Sequence, residues 1–191
     1  MLVPAFMVIG AFPAFFIALL GLYVFGLELG WFPIQHAYDN GVTPGLNWAF
    51  LSSALRHSEL PILCVIAAYT GGWVLNMRTV MINTIGEDYV AMAHAKGLPD
   101  RRVMTRYAGR NAILPPLNGF AAQFASAIGG LVFIEYVFSY PGAGYTLQQA
   151  VLGNDYPLSQ ALLVVLSLCV IGANLIMDVL NFVLDPRLRT S

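Results

Sequence analysis

Residues 86–116 read G-E-D-Y-V-A-M-A-H-A-K-G-L-P-D-R-R-V-M-T-R-Y-A-G-R-N-A-I-L-P-P, a charged island in a chain otherwise apolar enough to dissolve in lipid. The island carries Lys96 and four arginines, Arg101, Arg102, Arg106 and Arg110. A segment this polar between apolar runs belongs in water, on the membrane face that retains positive charge. There it offers a partner protein a point of attachment.

Composition points the same way. Hydrophobic residues make up 58% of the 191 and charged residues only 10%, with a mean hydropathy of +0.71. Soluble domains carry about 25% charged residues. The net charge of −1 is uninformative, because the distribution of charge and not its sum carries the signal. No basic patch is interleaved with aromatics, so nucleic acid is not an expected partner.

Four uncharged runs, Leu2–Leu27, Leu60–Met77, Ala112–Ile134 and Tyr156–Met177, each approach the ~20 apolar residues that a spanning helix needs. The expected fold is therefore all-α, a polytopic membrane protein with four transmembrane helices present. Four spans place the 84–111 loop and the C-terminus on one side, with eight of the nine basic residues; only Arg56 falls on the other. Basic residues gather in short cytoplasmic loops, so loop and C-terminus are expected in the cytoplasm. Trp31, Trp48, Tyr38, Tyr136, Tyr140 and Tyr156 sit near the outer boundaries, as an interfacial aromatic belt would. Met1 opens into apolar sequence with no basic n-region or cleavage site, and the expectation is a chain lacking an upstream part.

In the third run Ala121, Ala125 and Gly129 recur every four residues, and Ala122, Ser126 and Gly130 repeat the pattern one position along. Two small-xxx-small stripes allow close approach of neighbouring helices, or line a passage between them. The charged island reads as two short helices. Glu87 to Ala95 places acidic residues at a helix start, Gly97 stands where a helix ends, and Pro99-Asp100 opens a second helix through about Asn111. On that helix Arg102, Arg106 and Arg110 form one i, i+4, i+8 cationic stripe, which calls for an anionic neighbour.

Chemistry is scarce. The chain has no G-x-x-x-x-G-K-[ST] phosphate loop and no H-E-x-x-H pair, and His36, His57 and His94 read as scattered and unpaired. Cys64 and Cys169 lie in apolar runs as small hydrophobes. No catalytic residue, metal site or cofactor is expected. Asp155 falls in an outer loop before Pro157, and Asp178 ends the fourth span, where structural pairing is the expected role. Glu59 and Glu135 at outer boundaries either face a passage or snorkel.

The strings E-D-Y-V-A-M-A-H-A-K-G-L, R-R-V and R-N-A-I-L-P resemble the cytoplasmic "EAA" loop of ABC importer permeases, in the version of the dipeptide/oligopeptide/nickel branch. The segments F-I-E-Y-V-F-S-Y-P-G-A-G (133–144), N-D-Y-P (154–157) and L-D-P-R-L-R (184–189) resemble that branch too, in the same order. The F-S-Y-P-G form resembles the first of the two non-identical permease subunits. The likeness covers essentially all 191 residues but only the last four spans of a longer pattern. Ala91-Met92-Ala93 occupies the E-A-A place, a departure from the general loop that blurs residue-level roles.

The resemblance implies a type I ABC importer permease core over residues 1–191, in a prokaryotic cytoplasmic membrane. Its function would be ATP-driven import of peptides or similar small solutes, without enzymatic activity of its own. The implied partners are a second permease subunit forming a heterodimer, two ATP-binding cassette ATPase subunits, an extracellular solute-binding protein and the lipid bilayer. The helix before Gly97 would be the coupling helix, with Glu87, Asp88, Tyr89, Ala91, Ala93, Lys96, Gly97, Leu98, Arg101 and Arg102 forming the ATPase-coupling loop. A secondary carrier or channel without an ATPase is the alternative; the four runs show no evident inverted repeat and no conspicuous midplane charge.

Overall fold

The computed structural model describes residues 10–113, 115–116 and 119–184. Among these, all regular structure is helical. Helix α1 (Ala14–Gly21) starts after Pro13, whose fixed φ suits a helix entrance, and continues as a π-helical segment, Leu22–Glu28. A loop leads to α2 (Trp48–Ile85), whose N-cap Asn47 accepts the Phe50 N–H through its side chain at 2.7 Å. Then come α3 (Asp88–Ala95) and a helical stretch across 100–112, here α4. The chain closes with α5 (Phe120–Val137), α6 (Ala143–Leu152) and α7 (Tyr156–Leu184).

Among the described residues two helices are long and apolar enough to cross a membrane, Trp48–Ile85 and, within α7, Tyr156–Met177. The run predicted at Leu60–Met77 is only the middle of α2. At 1.5 Å per residue the 38 residues of α2 extend about 57 Å, nearly twice the ~30 Å hydrocarbon core. The first and third runs correspond to shorter apolar helices, Ala14–Glu28 and Ala127–Val137. Residues 1–9 of the first run lie outside the described residues.

Among the described residues two buried clusters hold the chain together. Ala18 of α1, Leu60 and Cys64 of α2, Ile134 of α5 and Phe138 are buried as one group, with Phe32 and Tyr140 packed against it. A separate group, Val90, Ala93, Val103 and Ala108, joins α3 to α4, with Met81 of α2 and Leu98 beside it. Helix α6, between the third and fourth apolar runs, packs on α5 and α7. The outer surface is apolar: Leu163, Val164, Leu168, Ile171, Leu175 and Ile176 of α7 are each more than half exposed. Water would penalise that surface at about 25 cal/mol per Å², whereas lipid tails do not.

Candidate functional site

Helix α3 starts at Glu87, whose side chain makes no capping bond, with Asp88 in the first turn where the macrodipole favours negative charge. It stops at Lys96, and Gly97 then turns left-handed with φ +74°. The Gly97 N–H donates to the His94 carbonyl at 2.8 Å. A Cβ on Gly97 would meet nothing within 4 Å. The demand for glycine is therefore conformational and not steric, and a side chain here has room but the wrong backbone preference.

The two predicted inner helices are present, and their faces divide in a way the sequence did not reveal. Glu87, Asp88, Tyr89, Ala91, Met92 and Lys96 are exposed, while Val90 and Ala93 are buried. Ala93, placed in the coupling loop by the resemblance, is 2% exposed and packs on Val103 and Ala108 within its own chain. Its small size lets α3 lie against α4. Met92, 59% exposed, takes its place on the outer face. Leu98 packs against the same internal cluster.

Helix α4 is not a uniform α-helix. Asp100–Arg102 is α-helical, Val103–Ala108 is π-helical, and Gly109–Ala112 returns to α geometry. Val103 and Ala108, five residues apart, would diverge by about 140° around an α-helix. The wider i→i+5 turn brings both onto the face against α3. Arg101, Arg102 and Arg106, with Pro99 and Thr105, line one open groove of about 470 Å³, and Arg110 is not among its walls. No carboxylate lies within 4 Å of any of these arginines among the described residues.

Two histidines expected to be unpaired are paired. His94 Nδ1 lies 3.5 Å from Asp100 Oδ1, across the α3–α4 turn. His57 is buried, with Nε2 3.8 Å from Asp39 Oδ1 and Nδ1 2.9 Å from the Ser53 carbonyl oxygen, which can only accept a proton donor. The Ser53 hydroxyl donates to Asp39 at 2.8 Å, and the Asp39 N–H donates back to Ser53 Oγ at 2.8 Å. This exchange fastens the 30–47 loop to α2. Sequence alone offered no signal for it, since Asp39 and His57 are far apart in the chain.

The Glu135 carboxylate caps a helix start. Its Oε2 accepts the N–H groups of Gly144 at 2.8 Å and Tyr145 at 3.0 Å, capping the start of α6. A Cβ on Gly144 would stand 2.5 Å from Val132 Cα, and one on Gly142 would collide with the Glu135 carboxylate. The P-G-A-G string thus lets the α6 start reach Glu135. Asp155 is likewise a cap: its Oδ1 accepts the Leu158 N–H at 3.1 Å at the start of α7.

On α5, Gly130 lies where a Cβ would collide with the Tyr69 hydroxyl of α2, so close helix approach is present at that position. Gly129 meets nothing within 4 Å and faces a groove of about 410 Å³ bounded by Leu147, Leu163 and Ser167. The side chains of Ala121, Ala122, Ala125 and Ser126, and everything about Asp178's side chain, lie outside the described residues.

Residues 1–190 match the family described as binding-protein-dependent transport system inner membrane component. A Brucella ovis protein named as a peptide permease is 37% identical over 94% of this chain and 54% of its own length. The oligopeptide transport system permease protein AppB of Bacillus subtilis is 33% identical over 94% of this chain and 55% of its own. The glutathione transport system permease protein GsiC of Escherichia coli is 34% identical over 94% and 54% respectively. The chain therefore spans about half the length of the curated relatives it matches. Matched over nearly its whole extent, all-helical where described and sheathed in apolar side chains, the chain belongs to the family of binding-protein-dependent transport system inner membrane components.

Proposed function

We propose that this chain is the permease subunit of an ATP-driven importer for peptides or similar small solutes, forming part of one half of the translocation pathway. Four helices cross the bilayer, built on α1, α2, α5 and α7, with loop 84–111 and the C-terminus in the cytoplasm. The chain works beside a second permease subunit, two ATPase subunits and an extracellular solute-binding protein, in a prokaryotic cytoplasmic membrane. The reading is supported by the eight-to-one basic asymmetry and by relatives named for peptide, oligopeptide and glutathione transport.

One observation carries the coupling role. Helix α3 is clamped to α4 and to the end of α2 through Val90, Ala93 and Met81, and leaves Glu87, Asp88, Tyr89, Ala91 and Met92 uncovered. A short helix with one face packed on its own chain and the other free transmits a push only to what binds its free face. An ATPase subunit seated there moves α3, and the shared cluster passes the displacement to α4 and α2. Lys96, Gly97, Leu98, Arg101 and Arg102 complete the loop by setting its turn and its basic edge.

Purification from membranes tests this directly. The permease is expected to bring down nucleotide-binding subunits in fixed ratio, and Met92→Glu to release them while the permease stays in the membrane. Side-specific labelling tests the orientation: Pro99→Cys is expected to react only from the cytoplasm and Asn40→Cys only from outside. Labelling of Pro99→Cys in intact cells by an impermeant reagent would overturn the topology.

A further inference from the structure

Resting on that reading, we propose that the cleft between α1, α2 and α5 is a water-filled station on the solute passage, where Gln123 and Tyr69 exchange hydrogen bonds with the amide groups of a peptide-like solute. The cleft is lined by Gly10, Phe12, Ala14, Ala68, Tyr69, Gly72 and Gln123 and encloses about 280 Å³. At about 30 Å³ per water, that is room for roughly nine.

Its position and its polar groups point to a wet site. Tyr69 stands at the middle of the apolar run Leu60–Met77, and Gln123 at the middle of Ala112–Ile134. Tyr69 therefore falls near the bilayer midplane, and Gln123 lies in the first turn of α5, one helix away; polar side chains within apolar helices are costly and mark pathways. The Gln123 side chain is half-buried and has no hydrogen-bond partner among the described residues. An amide left without partners in hydrocarbon is strongly penalised, so this one needs water or a ligand. Tyr69 donates to the Ala127 carbonyl at 3.3 Å, a long bond that leaves its oxygen lone pairs available to a donor. Gly130, whose Cβ would displace the Tyr69 hydroxyl, keeps that ring in place.

The chemistry selects the ligand class. Among the described residues no carboxylate, amine or guanidinium lines the cleft, so it offers a free ion no opposite charge. A carboxamide presents one acceptor and two donors, matching the acceptor and donor of a peptide group. Tyr69 adds an acceptor, and Gly10 and Gly72 keep the walls low.

The test uses the full permease with its partner subunits in native membrane vesicles, with Cys64 and Cys169 replaced by alanine. Gln123→Cys, Gly72→Cys and the outward-facing control Leu168→Cys are treated with a cationic methanethiosulfonate. A Cβ at Gly72 meets nothing within 4 Å, so that variant is accommodated. Thiolate forms only where water reaches, so reaction at 123 and 72 but not at 168 is expected. Equal inertness at all three positions would overturn the hydrated cleft. In the second arm Gln123→Leu is expected to lower vesicle uptake of trialanine about tenfold, the scale of one lost hydrogen bond, with ATPase subunits still co-purifying. Unchanged uptake would overturn the solute contact. Failure of the parent protein to hold any ATPase would refute the importer reading while leaving the labelling result intact.

Discussion

The Glu135 carboxylate accepts the Gly144 N–H at 2.8 Å, fastening the end of α5 to the first turn of α6. Three chain features converge on that bond. Ser139 adopts φ +47°, the Tyr140 N–H donates to the Glu135 carbonyl at 2.8 Å, and Gly142 leaves space that a Cβ would take from the carboxylate. The F-I-E-Y-V-F-S-Y-P-G-A-G string is thus a corner whose conformation is set by one acid.

Glu135→Ala removes the acceptor and the negative charge from a helix start, a loss of about 1–2 kcal/mol. The detergent-solubilised protein is expected to unfold at a lower temperature, with Glu135→Gln falling between the two because it retains an acceptor. Equal midpoints for all three proteins would show that α6 is held by apolar packing alone.

Gly97→Ala is expected to cost roughly 1–2 kcal/mol, the strain of a left-handed backbone with a Cβ. Gly97→Asn should cost less, since Asn tolerates that region. Because the site is open, Gly97→Val should behave as a somewhat worse alanine and not as a steric clash. Coupled ATP hydrolysis in reconstituted membranes should decline in the same order, Gly, Asn, Ala, Val. Activity that instead tracks side-chain volume would point to an occluded turn.

Ala93→Glu and Met92→Glu, one residue apart, should fail differently. The first places a carboxylate among Val90, Val103 and Ala108, where an uncompensated charge costs on the order of 3–5 kcal/mol. Lost thermal stability and poor membrane yield are expected. The second lands on the exposed face and should leave yield and unfolding temperature unchanged while ATPase subunits are lost on purification. Identical behaviour of the two would remove the distinction between the faces.

Gly130→Leu forces a side chain into the Tyr69 hydroxyl, overpacking that typically costs 1–3 kcal/mol. Gly129→Leu enters the open groove beside Leu163 and Ser167 and should be tolerated by the isolated chain. Unfolding midpoints of the two variants, measured side by side, check the order. A larger loss for Gly129→Leu would place another helix in that groove.

Local composition and glycine placement act on near neighbours, and the helical class and the turn at Gly97 were legible in the residues themselves. The helical class follows because backbone groups in lipid must be bonded within their own segment. The α3–Gly97–α4 turn follows because Glu87-Asp88, Gly97 and Pro99 each act on their own few neighbours. What the residues could not disclose depends on groups distant in the chain or on a local change of helical period. Ala93 and Met92 are both plausible on an outer face until the π-turn at Val103–Ala108 decides which face of α3 is covered. His57 finds Asp39, and Glu135 finds Gly144, only after intervening turns have closed. Tyr69 and Gln123 acquire a shared cleft only because α2 and α5 lie side by side, with Gly130 making room between them.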